Sequence, residues 1–233
     1  MNYFVIMGIS LVFGLIGKLV SSRLMNKFKK YSQMPLPTGL SGAEVAAKML
    51  KDRGIYDVKI QSVAGTLTDH YNPANKTVNL SPEVYQGRSV AAAAVAAHEC
   101  GHAVQHAKSY PWLGMRSKLV PVVNVSSKLM KWVIMAAMIG LAVSEVFGGY
   151  AVLAAVVLQG AVMLFALVTL PVEFDASKRA LVYLDESGIA GRQGEAYEGA
   201  KDALKWAGMT YFVAALAAVA QFLYFLSIFL RRR

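Results

Sequence analysis

A chain of 233 residues is long enough for one ordinary domain, and its apolar content of 56% lies above the usual range for a soluble globular protein. The formal charge of +10 does not point to nucleic acid, because many of the basic residues flank long apolar runs instead of interleaving with aromatics on a polar face. A single cysteine, Cys100, excludes an intrachain disulfide.

Tyr3 to Val20 is apolar except for Lys18 and has neither a basic stretch before it nor a small-residue cleavage site after it. It reads as an anchor, not a removable signal peptide. Beyond Lys27, Lys29 and Lys30, the stretch from Ala43 to Leu50 with Lys51 and Asp52 has the period of a short amphipathic helix that stops near Gly54. Val58 to Val63 alternates like a strand, Asp69 to Asn75 is turn-rich around Tyr71-Asn72-Pro73, and Lys76 to Leu80 reads as a second short strand. Ser81-Pro82-Glu83 has the form of an N-cap, a first-turn proline and an acidic first turn. A helix dominated by alanine then runs from about Ser89 to Ala107.

Three further apolar runs follow. Trp132 to Phe147 and Tyr150 to Val172 are joined by Gly148 and Gly149 and read as a tight helical hairpin, and Met209 to Leu230 is halted by Arg231, Arg232 and Arg233. At about 1.5 Å per residue the longer runs cross a hydrocarbon core of roughly 30 Å. The expected fold is therefore a mainly α, multi-span helical membrane protein with a small two-stranded β element, forming one membrane-embedded domain over 1–233. Its spans lie at about 3–20, 132–147, 150–172 and 209–230. The polar portions, about 21–131 and 173–207, flank the central hairpin and so share one side of the bilayer.

Chemistry concentrates in His98-Glu99-Cys100-Gly101-His102. Two histidines four apart project from one face of a helix, a turn apart, which is the spacing that lets two imidazoles hold one metal ion. Zinc is the natural occupant of such a pair. Glu99 cannot point the same way as His98, and in this pattern it serves as general base toward the water in the metal's open position. Cys100 lies about 200° around the helix from His98 and reads as a small packing residue. Gly101 reads as a site of close helix packing. His106 continues the four-residue spacing, but each such step turns by roughly 40°, so it is expected at the helix end, not on the metal.

A catalytic zinc uses a third protein ligand and leaves a fourth position for water. His70, in the turn-rich stretch, is a candidate for contact with substrate or oxyanion and a lesser one for the metal itself, the alternative being a turn residue bonded to its own loop. Tyr71 and Tyr183 are candidate oxyanion donors. Glu173 and Asp175 follow the longest apolar run on the same side as the motif, and because they differ by about 200° around a helix only one can face the metal.

The motif helix with Gln105-His106, the preceding Leu67-Thr68-Asp69-His70-Tyr71-Asn72-Pro73 and Val78-Asn79-Leu80-Ser81, and Glu173-Phe174-Asp175-Ala176-Ser177 together resemble the YugP-type bacterial membrane zinc metallopeptidases over nearly the whole chain. More distantly they resemble the HtpX and CAAX-prenyl endopeptidase group, in which the third ligand is the Glu of an E-x-x-x-D pattern after a span. The resemblance implies a gluzincin-like core in which Glu173 joins His98 and His102 on zinc. It departs at Ser177, which stands where that group has its aspartate, so either Asp175 or Ser177 is the candidate to support a ligand imidazole.

The expected activity is zinc-dependent endopeptidase cleavage of membrane or membrane-proximal proteins, with Glu99 passing a proton to the leaving amine. The 76–80 strand is a candidate to pair with an extended substrate. Expected partners are a polypeptide, itself a membrane protein, and the lipid bilayer; the oligomeric state is not written in the sequence. The basic residues concentrated in the two polar blocks place an integral protein of the bacterial cell (inner) membrane with its active site facing the cytoplasm. Two alternatives are a site-2-type intramembrane protease, for which Leu184-Asp185-Glu186 is a poor partner motif, and a non-catalytic scaffold stapled by zinc.

Overall fold

The computed structural model describes residues 3–192 and 194–231. The order is α1 (Tyr3–Ser32), α2 (Gly42–Asp52), β1 (Lys59–Ser62), β2 (His70–Asn72), β3 (Thr77–Leu80), α3 (Pro82–Gln86), α4 (Val90–Ala107), α5 (Pro111–Val143), α6 (Glu145–Glu186) and α7 (Glu195–Leu230). Arg232 and Arg233, two of the three arginines read as the final stop, lie outside the described residues. The chain divides into two compact units, one formed by Met1–Leu19, Gly114–Leu170 and Thr210–Arg233, the other by Val20–Leu113 and Pro171–Met209.

The first unit is helical and apolar. Phe4–Ser32, Pro111–Gly140, Val146–Glu186 and Glu195–Leu230 are long and apolar enough to cross a membrane, matching the expected four spans. Leu11 and Val157 are each 64% exposed and Leu223 55%, a pattern that hydrocarbon stabilises and water does not. Within the unit, Ile6, Ala155 and Phe225 form a buried cluster. Gln159, also buried, satisfies its amide by donating to the Ala218 carbonyl (3.3 Å) and to Gln221 Oε1 (3.2 Å). The sequence places the hairpin turn at Gly148-Gly149, whereas the helix breaks at Ser144 and both glycines belong to α6. The hairpin is tight all the same: a Cβ on Gly140 would lie 2.5 Å from the Phe147 ring and 3.1 Å from Gly148 Cα. Helix α5 also begins at Pro111, well before Trp132, because no breaker intervenes that a helix cannot absorb; Pro121 sits inside it.

The second unit is built around α4. Ser89 caps it by accepting from the Ala92 N–H (3.2 Å), and its alanines are buried on nearly every face, so neighbouring elements approach closely. Helix α2 packs its apolar stripe, Val45, Ala46 and Met49, into the same core. A capping box starts it: Glu44 N–H donates to Ser41 Oγ (3.2 Å) and Ser41 N–H to Glu44 Oε2 (2.7 Å). The apolar face of α6 that includes Ala180 and Leu184, and that of α7 with Ala200 and Leu204, complete the cluster.

The β element has three strands in the order β1-β3-β2, with β1 parallel and β2 antiparallel to β3. The turn-rich stretch thus supplies an unforeseen strand. Its composition favours a turn, and a turn does follow, closed by the Ala74 N–H on Asn72 Oδ1 (2.9 Å) and by Lys76 at φ 53°. Strand β2 exists because β3 offers it a partner, and Asp69 ties its start to Ser81 through the Ser81 N–H (2.7 Å) and hydroxyl (3.1 Å). The Ser81 side chain is consequently not used to cap α3. The expectation that the 76–80 strand pairs with substrate is corrected here. β3 is central, buried and bonded on both sides, so its backbone groups are already committed.

Candidate metal centre

Helix α4 presents His98 and His102 from one face, their ring centroids 4.8 Å apart at an interplanar angle of 84°. Helix α6 brings Glu173, 2% exposed, against them: its Oε2 is 3.4 Å from His98 Nε2 and 3.7 Å from His102 Nε2. The approach of the two helices depends on Gly101, where a Cβ would sit 2.6 Å from the Ala176 carbonyl oxygen. One ligand atom from each of the three residues lies within 4.8 Å of the others, and among the described residues this is the cluster able to hold a metal ion. Tetrahedral bonds of about 2.0–2.1 Å place ligand atoms roughly 3.3–3.5 Å apart, and the distances from Glu173 to the two imidazoles are close to that spacing. Burial opposes charging of His102, but Glu173 and Glu99 beside it outweigh that and raise its pKa above the ordinary histidine value. The pocket therefore attracts positive charge.

The far nitrogens of both imidazoles are engaged. His98 Nδ1 meets Ser177 Oγ at 3.1 Å, and His102 Nδ1 meets Gln105 Oε1 at 3.0 Å. Gln105 is buried, and its Nε2 donates to the Val172 carbonyl (2.8 Å) and to Asp175 Oδ2 (2.8 Å). With both amide protons used, Oε1 is left to accept. His102 Nδ1 is then the donor, which leaves Nε2, the nitrogen on the Glu173 side, as the one that can take up a metal ion or a proton. Asp175 in turn accepts from Arg179 Nε (2.5 Å). Ser177 thus reaches one imidazole directly, and Asp175 reaches the other through Gln105. The sequence reading did not assign Gln105 this part, although a residue three beyond His102 shares its helix face. Gln105→Leu is expected to weaken zinc binding by roughly 10–100-fold, the usual effect of removing a group that orients a ligand. Competition with a chromophoric chelator measures it, and unchanged affinity would remove Gln105 from this role.

Glu99 is 8% exposed, and its Oε2 accepts from the Tyr71 backbone N–H (2.9 Å). Strand β2 thereby holds the glutamate beside the ligand pair. The Tyr71 hydroxyl lies 2.7 Å from His106 Nδ1, which puts His106 at the helix end and outside the ligand cluster. His70 is exposed and its Nδ1 contacts its own loop at the Thr68 carbonyl (2.7 Å). Tyr183 donates to Asp52 Oδ2 (2.8 Å), away from the cluster. Cys100 is fully buried against the Ala46 carbonyl, and burial pushes its thiol up, so it packs and does not react.

A family model described as "Putative neutral zinc metallopeptidase" matches residues 3–230. A curated relative from Bacillus subtilis (strain 168), "Putative membrane protease YugP", is 40% identical over 211 residues, covering 91% of this chain and 90% of its own length. No solved structure matches the chain.

Proposed function

The chain belongs to this family of zinc metallopeptidases, and on that premise we propose that it is a membrane endopeptidase that cleaves membrane or membrane-proximal polypeptides. The observation that carries the reading is the junction of His98, His102 and Glu173 with Glu99 held alongside. Three donors leave one coordination position for water, as catalytic zinc sites do, whereas a stapling site is closed by four protein ligands and gives Glu99 no task. Asp185 and Glu186 are not part of the cluster, so nothing favours the site-2 arrangement.

In this reading His98, His102 and Glu173 would hold the metal, which would supply Lewis-acid activation of water and of the scissile carbonyl. Glu99 accepts a proton at its carboxylate and returns it to the leaving amine nitrogen. The Tyr71 N–H fixes one carboxylate oxygen and leaves the other to receive that proton. An extended substrate lies along β2, an edge strand whose Tyr71 N–H is already given to Glu99, since β3 is bonded on both sides. Tyr71 and His106 form a hydrogen-bonded pair, and Tyr71 is the candidate donor to the developing oxyanion.

Cleavage of an unstructured protein such as casein is expected from the purified chain, to be abolished by a chelator and restored by added zinc. Activity indifferent to the chelator would sink the zinc reading. The residues from 1 to 233 are read as one metallopeptidase domain of the bacterial cell membrane whose active site faces the cytoplasm, supported by the basic residues in the polar blocks. Cysteines introduced singly at exposed positions such as Lys59 and labelled in intact cells are expected to resist an impermeant reagent; ready labelling would reverse the orientation.

A further inference from the structure

A cavity of about 260 Å³ opens where the ends of α2 and α4 meet α6. Its polar lining is Arg53 from the end of α2, Lys108 from the end of α4, and Lys178 and Arg179 from α6, with Asp175 as the one carboxylate among them and Met49 in its apolar floor. Four cations around one cavity repel each other, and the two carboxylates that pair with its arginines, Asp175 and Glu186, do not balance them all.

The two arginines are braced in place. Arg179 donates through Nε to Asp175 (2.5 Å) and lies over the Tyr110 ring (5.7 Å to its centroid); Arg53 donates to Glu186 (2.9 Å) and lies over Tyr183 (5.6 Å). A guanidinium has five N–H donors, and these contacts occupy few of them. Lys108 and Lys178 are exposed and make no ion pair among the described residues. The site therefore has fixed, forked donors with mobile point charges beside them, which is the equipment used to bind phosphate.

We infer that this cavity binds a phosphate-bearing anion. Its volume lies below the roughly 300–1,000 Å³ of sites for drug-sized ligands, so it takes a phosphate with a few attached atoms, and the apolar floor suits a carbon substituent on that phosphate. An anion seated there competes with Asp175 for Arg179. Asp175 bonds Gln105, and Gln105 bonds His102, so occupancy is felt at a residue assigned to the metal. The binding site stands apart from the proposed peptidase activity; only this coupling rests on it.

The test uses the full-length, zinc-loaded protein in a neutral detergent. Inorganic phosphate is titrated calorimetrically, and in a second arm a short-chain phosphatidic acid replaces it, with the corresponding phosphatidylcholine as control. Binding is expected to weaken at least 10-fold in Lys108→Gln/Lys178→Gln and to persist in Lys29→Gln/Lys30→Gln. Lysine-dependent binding of inorganic phosphate identifies a free phosphate compound as ligand; such binding of phosphatidic acid alone identifies a lipid headgroup. No binding in either arm, or binding that the first double substitution leaves intact, as expected of phosphate held by the metal itself, overturns the site. Zinc affinity measured with and without the bound anion tests the coupling, and an unchanged value overturns it.

Discussion

Glu99→Gln is expected to lower peptide hydrolysis by at least about 10²- to 10⁴-fold, the range that one positioned acid–base group contributes, while zinc stays bound at full stoichiometry. The substitution is nearly isosteric. A glutamine Oε1 can still accept from the Tyr71 N–H, so the tie between β2 and α4 survives while the ability to take up a proton is lost. Neither histidine nor Glu173 is altered, which is why metal content and activity are expected to separate. Metal analysis on the same preparation as a casein-cleavage assay distinguishes the outcomes. Undiminished cleavage would remove Glu99 from catalysis, and lost zinc would make it a supporting residue of the metal centre.

Glu173→Gln is expected to weaken zinc binding by more than about 100-fold and to abolish cleavage at limiting zinc. Removing a residue that merely orients a ligand costs about 10–100-fold, and loss of a direct anionic ligand exceeds that. The amide keeps the volume of a side chain that is 2% exposed, so the void that alanine would leave is avoided. It cannot supply the negative charge that offsets the metal's. Competition with a chelator of known affinity reads the change, and circular dichroism shows whether the fold persists. Wild-type affinity in a folded Glu173→Gln protein would mean that another group completes the site.

Much of this arrangement was legible in the residues because it is periodic or local. Two histidines four apart on an alanine-rich stretch meet on one helix face wherever that helix packs, and Cys100 points away for the same reason. Apolar runs of about 20 residues declare themselves without knowledge of their neighbours. The residues left Glu173 and Asp175 as the foremost third ligands beside His70 and His106, and the helical period allows only one of the two carboxylates to face inward; resemblance to a family named Glu173, and Glu173 is the one that lies against the imidazoles. The position of the hairpin turn was misjudged because Gly148-Gly149 carries the stronger breaker signal. A glycine pair can also serve close packing inside a helix, and the break falls at Ser144 instead.

From its residues alone this is a membrane chain carrying an H-E-x-x-H helix suited to zinc. What surrounds that helix depends on how distant segments pack. Gln105 and Asp175, 70 residues apart, meet because Gly101 lets α4 and α6 approach at Ala176. Tyr71 reaches Glu99 because a segment of turn-forming residues is recruited by β3 as a strand, which makes β3 central and β2 an edge strand. The reason is one of range. Helical period and hydrophobic run length are properties of neighbours along the chain, whereas a hydrogen bond between distant segments depends on which surfaces fit together once both are folded.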